Sequence, residues 1–147
     1  MNEAETRAEL VDPLLKASGW GDVEESKVNR EFHITDGKIG TGGVRGKKEI
    51  ADYVLIYKNR KLAVIEVKRE SLGSTEGVAQ AKQYAEKLQI NFTYATNGRE
   101  IYEISMVTGI ERHIAVFPTP EELWAQTYTN QNEWEEKFSN VPFEDIQ

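Results

Sequence analysis

Fourteen positions separate Asp52 from Glu66, and Lys68 lies two residues beyond Glu66, in the stretch EIADYVLIYKNRKLAVIEVKRE (49–70). Most of that stretch is apolar and strand-like, so a charge within it is costly unless it has a partner or a task. Two acids and a lysine gathered there suit metal-assisted hydrolysis of a phosphodiester. The carboxylates can converge on a hard cation such as Mg2+, and the backbone carbonyl of Val67 can add another oxygen. The ammonium of Lys68 can steady the attacking water or offset charge developing on the phosphate.

Whether the acids meet depends on hairpin register, because residues directly opposite in an antiparallel pair share a face of the sheet. A two-residue loop of Asn59 and Arg60 pairs Lys58 with Lys61. It sets Asp52 against Val67 and turns Glu66 away. A three-residue loop of Lys58, Asn59 and Arg60 pairs Tyr57 with Lys61 and sets Asp52 opposite Glu66. A bulge at Asp52 would do the same. A shared cation site therefore requires an odd loop or a bulge, and a regular two-residue hairpin excludes it.

The elements that must hold these residues read as follows. Residues 2–20 form an amphipathic helix with Leu10, Val11, Leu14 and Leu15 on one side, Pro13 inside it and Gly19 at its end. Residues 22–35 alternate enough for one exposed strand. The segment 36–48, DGKIGTGGVRGKK, holds five glycines and reads as a mobile loop. Strands follow over 49–57 and 61–68. STEGVAQAKQYAEKLQ (74–89) is the clearest helix, with Ser74 or Thr75 as cap and Val78, Ala81, Ala85 and Leu88 on one face. Residues 90–106 read as a hairpin about Asn97-Gly98, and 113–117 as a short strand. A helix begins at 119 with Thr119 as cap and Pro120 in its first turn, and 132–138 can form another. Strand, strand, helix, strand across 49–97 demands a mixed sheet with a crossover helix, an α/β core.

The 147-residue length and 16.7 kDa mass suit one domain. Three Trp, six Tyr and five Phe supply a core, and the absence of cysteine excludes disulfides and thiolate zinc sites. No apolar run approaches a membrane span, and MNEAETRAEL has no signal-peptide pattern, so a cytoplasmic location without membrane association is expected. The net charge is −7, but residues 27–69 hold eleven Lys/Arg against five Asp/Glu. That local basic field surrounds the candidate acids, as a polyanionic substrate would require. Arg45, Lys47 and Lys48 are candidate phosphate contacts. GTGGVRGKK (40–48) superficially resembles a P-loop, but its spacing is wrong and Lys48 replaces Ser/Thr. His33 and His113 lack ligand spacing and read as structural, and Trp124 and Trp134 as packing residues.

The ADY (51–53) and AVIEVK (63–68) pattern resembles the PD-(D/E)XK nucleases, with Ala51 in place of the proline. More narrowly, ETR, DPLL and GW within 5–20, then ADYVLIY, IEVK, QAKQYAEKL (80–88) and TNG (96–98), resemble the N-terminal nuclease domain of type I restriction enzyme R subunits. Gln80 and Tyr84 form the Q-x-x-x-Y motif of that group and of RecB-like nucleases, fourteen residues after Glu66. FPTPEELW (117–124) resembles the segment leading into the helicase motor. The resemblance implies a restriction-endonuclease-like α/β fold, with Asp52, Glu66, Lys68, Gln80 and Tyr84 as catalytic residues. It also implies Asp52, Glu66 and Val67 as ligands of Mg2+ (Mn2+ as substitute), and Glu5 or Glu9 as a further acid from the first helix. The implied activity is cleavage of double-stranded DNA, coupled to ATP-driven translocation by a motor that this chain lacks. Implied partners are that motor and the modification and specificity subunits. On this reading residues 1–130 are the nuclease domain and 131–147 a linker. The alternative is a non-catalytic DNA-binding or docking module that uses the basic surface and ignores the acids.

Overall fold

The computed structural model describes residues 1–34 and 49–129. The chain opens with α1 (Glu3–Thr6), passes through a π-helical turn (Arg7–Val11) and continues as α2 (Asp12–Ala17). In the wide turn the Asp12 N–H donates to the Arg7 carbonyl. The extra residue lets Pro13 fall in the first turn of α2, where a missing N–H costs little. The single helix expected over 2–20 is thus one path with a widened turn. Gly19, at φ +93°, follows its C-cap.

Among the described residues six strands form one sheet in chain order: β1 (Ser26–His33), β2 (Ile50–Tyr57), β3 (Arg60–Val67), β4 (Phe92–Thr96), β5 (Ile101–Ser105) and β6 (Glu111–Ile114). All neighbours are antiparallel except β3 and β4, which are parallel. Parallel neighbours need a crossover, and it is supplied by a 3-10 turn (Ser74–Gly77) leading into α3 (Val78–Leu88). The expected mixed α/β architecture is what forms.

Alternation along β2 and β3 feeds two cores. Tyr53, Leu55, Ile65 and Val67 face Val11 and Leu15 of the N-terminal helical path, Trp20 just after it, Phe117, and Leu123 of a last helix over 120–129. Val54 and Val64 face Tyr84 and Ala85 of α3. Each of these fully buried apolar side chains contributes on the order of 1.5–3 kcal/mol. Strands β2 and β3, buried on both faces, read as nearly continuous apolar runs for that reason. Among the described residues no helix is long and apolar enough to cross a membrane.

Several local expectations change. The β2–β3 loop is Lys58-Asn59, both left-handed (φ 50° and 65°), and Tyr57 pairs with Arg60. Neither proposed loop forms. The register then shifts between Leu55/Ile56, because Leu62 is an extra residue on β3. The bulge lies at Leu62, not at Asp52. Neither Ser74 nor Thr75 caps α3; Gly73 and Gly77 take the cap positions without side-chain bonds, and Ser74 is buried. The β4–β5 loop is four residues, Asn97 to Glu100, since Thr96 pairs with Ile101. The last strand lies at Glu111–Ile114, earlier than expected. Thr119 caps the last helix as expected and adds a reciprocal bond: the Glu122 N–H donates to Thr119 Oγ1 at 3.1 Å, and the Thr119 N–H donates to Glu122 Oε1 at 2.9 Å. Trp124 packs edge-on against Tyr57, and His113 against Tyr102. The loop 36–48 and the segment 131–147, with the helix expected there, lie outside the described residues.

Candidate active site

The bulge at Leu62 decides the geometry. Above it Tyr53 lies opposite Ile65, so the next residues in register are Asp52 and Glu66. At that point the ladder stops. The Asp52 N–H donates to Glu66 Oε1 at 3.1 Å, and the Val67 N–H donates to Asp52 Oδ2 at 2.7 Å. Two carboxylates thus replace the backbone bonds that would have zipped the strands further. Pairing also lapses on the other side of Asp52: β1 pairs Arg30 with Tyr53 and Phe32 with Ala51 but skips Glu31, which is left-handed at φ +54°. Asp52 therefore stands where the sheet opens.

Both acids are largely buried, Glu66 to 4% exposure. Burial is the main force raising the Asp52 carboxyl above its ordinary range, against the Val67 N–H and the Arg7 guanidinium, which lower it. Glu66 is pushed up to about 8, first by burial and then by the charge of Asp52, with Lys68 pulling the other way. That opposition places Lys68 beside Glu66 in electrostatic terms. The Lys68 N–H donates to the Thr96 carbonyl at 2.9 Å. By strand alternation, Val67 then directs its own amide and carbonyl toward β2, where the strands part. Gly77 closes the pair from above; a Cβ there would stand 3.4 Å from Glu66 Cβ and 3.7 Å from Lys68 Cγ.

The helix α3 supplies the remaining polar groups. Gln80 Nε2 donates to the Tyr84 hydroxyl at 2.7 Å, one turn apart. Burial, then the charge of Glu66, raises the Tyr84 phenol, so this ring edge borders the acids. Glu49, Gln80, Gln83, Tyr84 and Lys87 line a hollow of about 250 Å3 beside it.

The first helix contributes differently from what its sequence led us to expect. Glu5 is exposed, and its side chain accepts the Asn2 N–H in a capping box. Glu9 is exposed as well. The acid of that helix whose charge reaches Asp52 is Glu3. The residue that touches the site is Arg7, whose Nη1 donates to Asp52 Oδ1 at 2.9 Å while Nη2 lies 3.9 Å from Glu31. Sequence reasoning missed Arg7 and Glu31. An arginine on an amphipathic helix carries no signal of its target, and Glu31 becomes a neighbour of Asp52 only once the β1–β2 register is known. Arg45, Lys47 and Lys48 lie outside the described residues.

The donor set suits a hard cation: two carboxylates and a carbonyl, with no sulfur or imidazole among them. Among the described residues no three His, Cys, Asp or Glu side chains cluster to hold a metal ion, so waters would fill the remaining positions.

The family described as type I restriction enzyme R protein N terminus (HSDR_N) matches residues 2–118. The chain belongs to that family. It is 31% identical over 134 residues to the type I restriction enzyme EcoAI endonuclease subunit of Escherichia coli, covering 84% of this chain and 16% of that protein. It also matches the solved fragment of a chain named as an HsdR subunit of a type I restriction enzyme from Vibrio vulnificus YJ016, with a TM-score of 0.82 and 38% identity over 90% of this chain and 26% of that one. This R-subunit N-terminal domain thus spans about one sixth of its E. coli relative. Its six-stranded mixed sheet with helices on both faces is the restriction-endonuclease-like α/β fold expected from the resemblance.

Proposed function

We propose that this domain is the Mg2+-dependent endonuclease of a type I restriction enzyme R subunit, hydrolysing phosphodiester bonds of double-stranded DNA. The observation that carries the reading is that Asp52 and Glu66 follow the Tyr53–Ile65 pair in register where β2 and β3 part, Glu66 buried and Asp52 half-buried, with Lys68 beside Glu66. Two carboxylates this close repel each other and gain from a shared cation.

Asp52, Glu66 and the Val67 carbonyl would hold the ion, with Mn2+ as a substitute. When bound, Mg2+ supplies Lewis-acid polarisation of the phosphate and a more acidic water. Lys68 offers its ammonium to the nonbridging oxygens or to the attacking water. Gln80 orients the Tyr84 hydroxyl, and the pair contacts the DNA backbone. Cleavage is coupled to an ATP-driven motor in the same full-length subunit, and modification and specificity subunits select the DNA. The protein acts in the cytoplasm.

The test uses the full-length subunit assembled with its partners. Glu66→Ala and Lys68→Ala should each lower plasmid cleavage by about a thousand-fold or more, with ATP hydrolysis and circular dichroism unchanged. Cleavage that survives in both variants would refute the site and favour a docking module.

A further inference from the structure

We propose that Arg7 is the internal counter-ion of the acid pair, seated on Asp52 until a divalent cation displaces it, with Glu31 as its alternate acceptor. The inference rests on the metal-dependent reading above.

The bonding of Asp52 sets which of its partners a cation can displace. Oδ2 accepts the backbone N–H of Val67 at 2.7 Å, and that donor cannot leave without moving β3. Oδ1 accepts Arg7 Nη1 at 2.9 Å. Glu66 already has Oε1 on the Asp52 N–H. Among the described residues the only basic side chain hydrogen-bonded to Asp52 is Arg7, carried on a long rotatable stem. A divalent ion on Oδ1 would stand beside the guanidinium as a like charge across one oxygen, so each weakens the hold of the other.

The backbone of Arg7 is fixed while its side chain has somewhere to go. Its carbonyl accepts the Asp12 N–H across the π turn and lies 3.3 Å from the Tyr53 hydroxyl, which itself donates to Asp12 at 2.6 Å. Glu31 faces the second nitrogen of the guanidinium at 3.9 Å. Its carboxylate is 72% exposed, and no other basic side chain among the described residues pairs with it. The left-handed backbone of Glu31, at the one place where β1 skips its partner, sets this acid beside Arg7. Release from Asp52 thus exchanges one carboxylate for another. Arg7 is a positioning residue: it keeps two acids poised without metal and sets how much cation is needed to take its place.

The probe is Mn2+ alone, with free ion followed by electron paramagnetic resonance, on the intact protein. Asp52→Asn gives the baseline for ion bound elsewhere. Arg7→Met should tighten the Asp52-dependent binding about tenfold, since a charged, partly buried hydrogen bond no longer competes. Arg30→Met removes a nearby cation that pairs with Asp12 instead, and should change affinity less than about threefold. Glu31→Gln should weaken binding severalfold, and that effect should vanish in the Arg7→Met background. Unchanged or weaker binding in Arg7→Met, or equal tightening in Arg30→Met, would overturn the proposal. A failure of Arg7→Met to fold leaves the Glu31→Gln result to decide, because Glu31 is exposed; unchanged affinity there rejects the exchange. Binding indifferent to Asp52→Asn would reject the metal site itself, a distinguishable failure.

Discussion

The two ends of the β2–β3 hairpin are built to opposite rules. At the turn end Lys58 and Asn59 close the ladder in a tight two-residue loop, and the strands beyond it carry only apolar side chains inward. Apart from the extra residue at Leu62, the ladder there runs without a break. At the other end the strands part, and carboxylates take the place of ladder partners. The closed end sets up the open one. Without the extra residue at Leu62, the two-residue turn would carry Asp52 out of line with Glu66. A buried leucine four residues before Glu66 therefore fixes whether the two acids share a face.

The sharpest way to break the comparison is to neutralise the costly end. Glu66 has a folded pKa raised from 4.5 to about 8. Such a group contributes stability that is fully present below pH 4.5 and lost as pH rises through about 8. Without added cation, the chain should therefore lose stability, on the order of a few kcal/mol, between pH 5 and 8.5. Glu66→Gln should flatten that slope, as urea unfolding across pH would show. A slope identical in both proteins would mean that the acid is not strained by burial.

A smaller effect is expected from the loop that steadies the first helix. Gly98 has φ +88°, and a Cβ there would meet Leu10 Cβ and Cδ1 at 2.7 Å. Gly98→Ala combines backbone strain with overpacking and should cost about 2–3 kcal/mol in thermal or urea unfolding. Because the clash falls on the helix that carries Arg7, it should also disturb the open end and leave the turn untouched. Amide exchange of residues 3–17 should quicken more than that of residues 55–62.

The smallest effect belongs to the closed end. Asn59→Val places a β-branched residue at φ 65° and should cost about 1–2 kcal/mol. Mn2+ affinity should stay within about twofold, since the bulge still sets the register. A large loss of affinity would show that the turn, more than the bulge, holds the acids in line.

Much of this was legible beforehand. The apolar runs of β2 and β3, the stripe of α3 and the capping signature of Thr119 follow local rules, and the sequence led to all of them. The Asp52–Glu66–Lys68 spacing pointed to one site. The route by which the acids meet was not legible, because Leu62 is as good a strand residue as its neighbours and nothing local marks it as extra. The cap of α3 was misread because Ser74 is drawn into the interior, where burial outweighs a cap bond. Asn97-Gly98 looked like a two-residue turn, yet Asn97 accepts the Arg99 and Glu100 N–H groups and donates to the Leu72 carbonyl, tying a four-residue loop to the segment after Lys68. Arg7 and Glu31 come from elements far from Asp52 in sequence, and only tertiary packing brings them to it.

The chain-order sheet has a consequence for how the molecule assembles. Every strand pairs with its neighbour in sequence, and only the β3–β4 step needs an intervening helix. Such short-range pairing favours rapid folding, because little loop entropy is spent before contacts form. The acid pair lies within the β2–β3 hairpin, so it closes among the early events. Arg7 comes from 45 residues away, so its contact with Asp52 is expected to follow closure of the hairpin. During synthesis, then, the two carboxylates are expected to meet before their guanidinium arrives, and water or a passing cation would screen them in the interval.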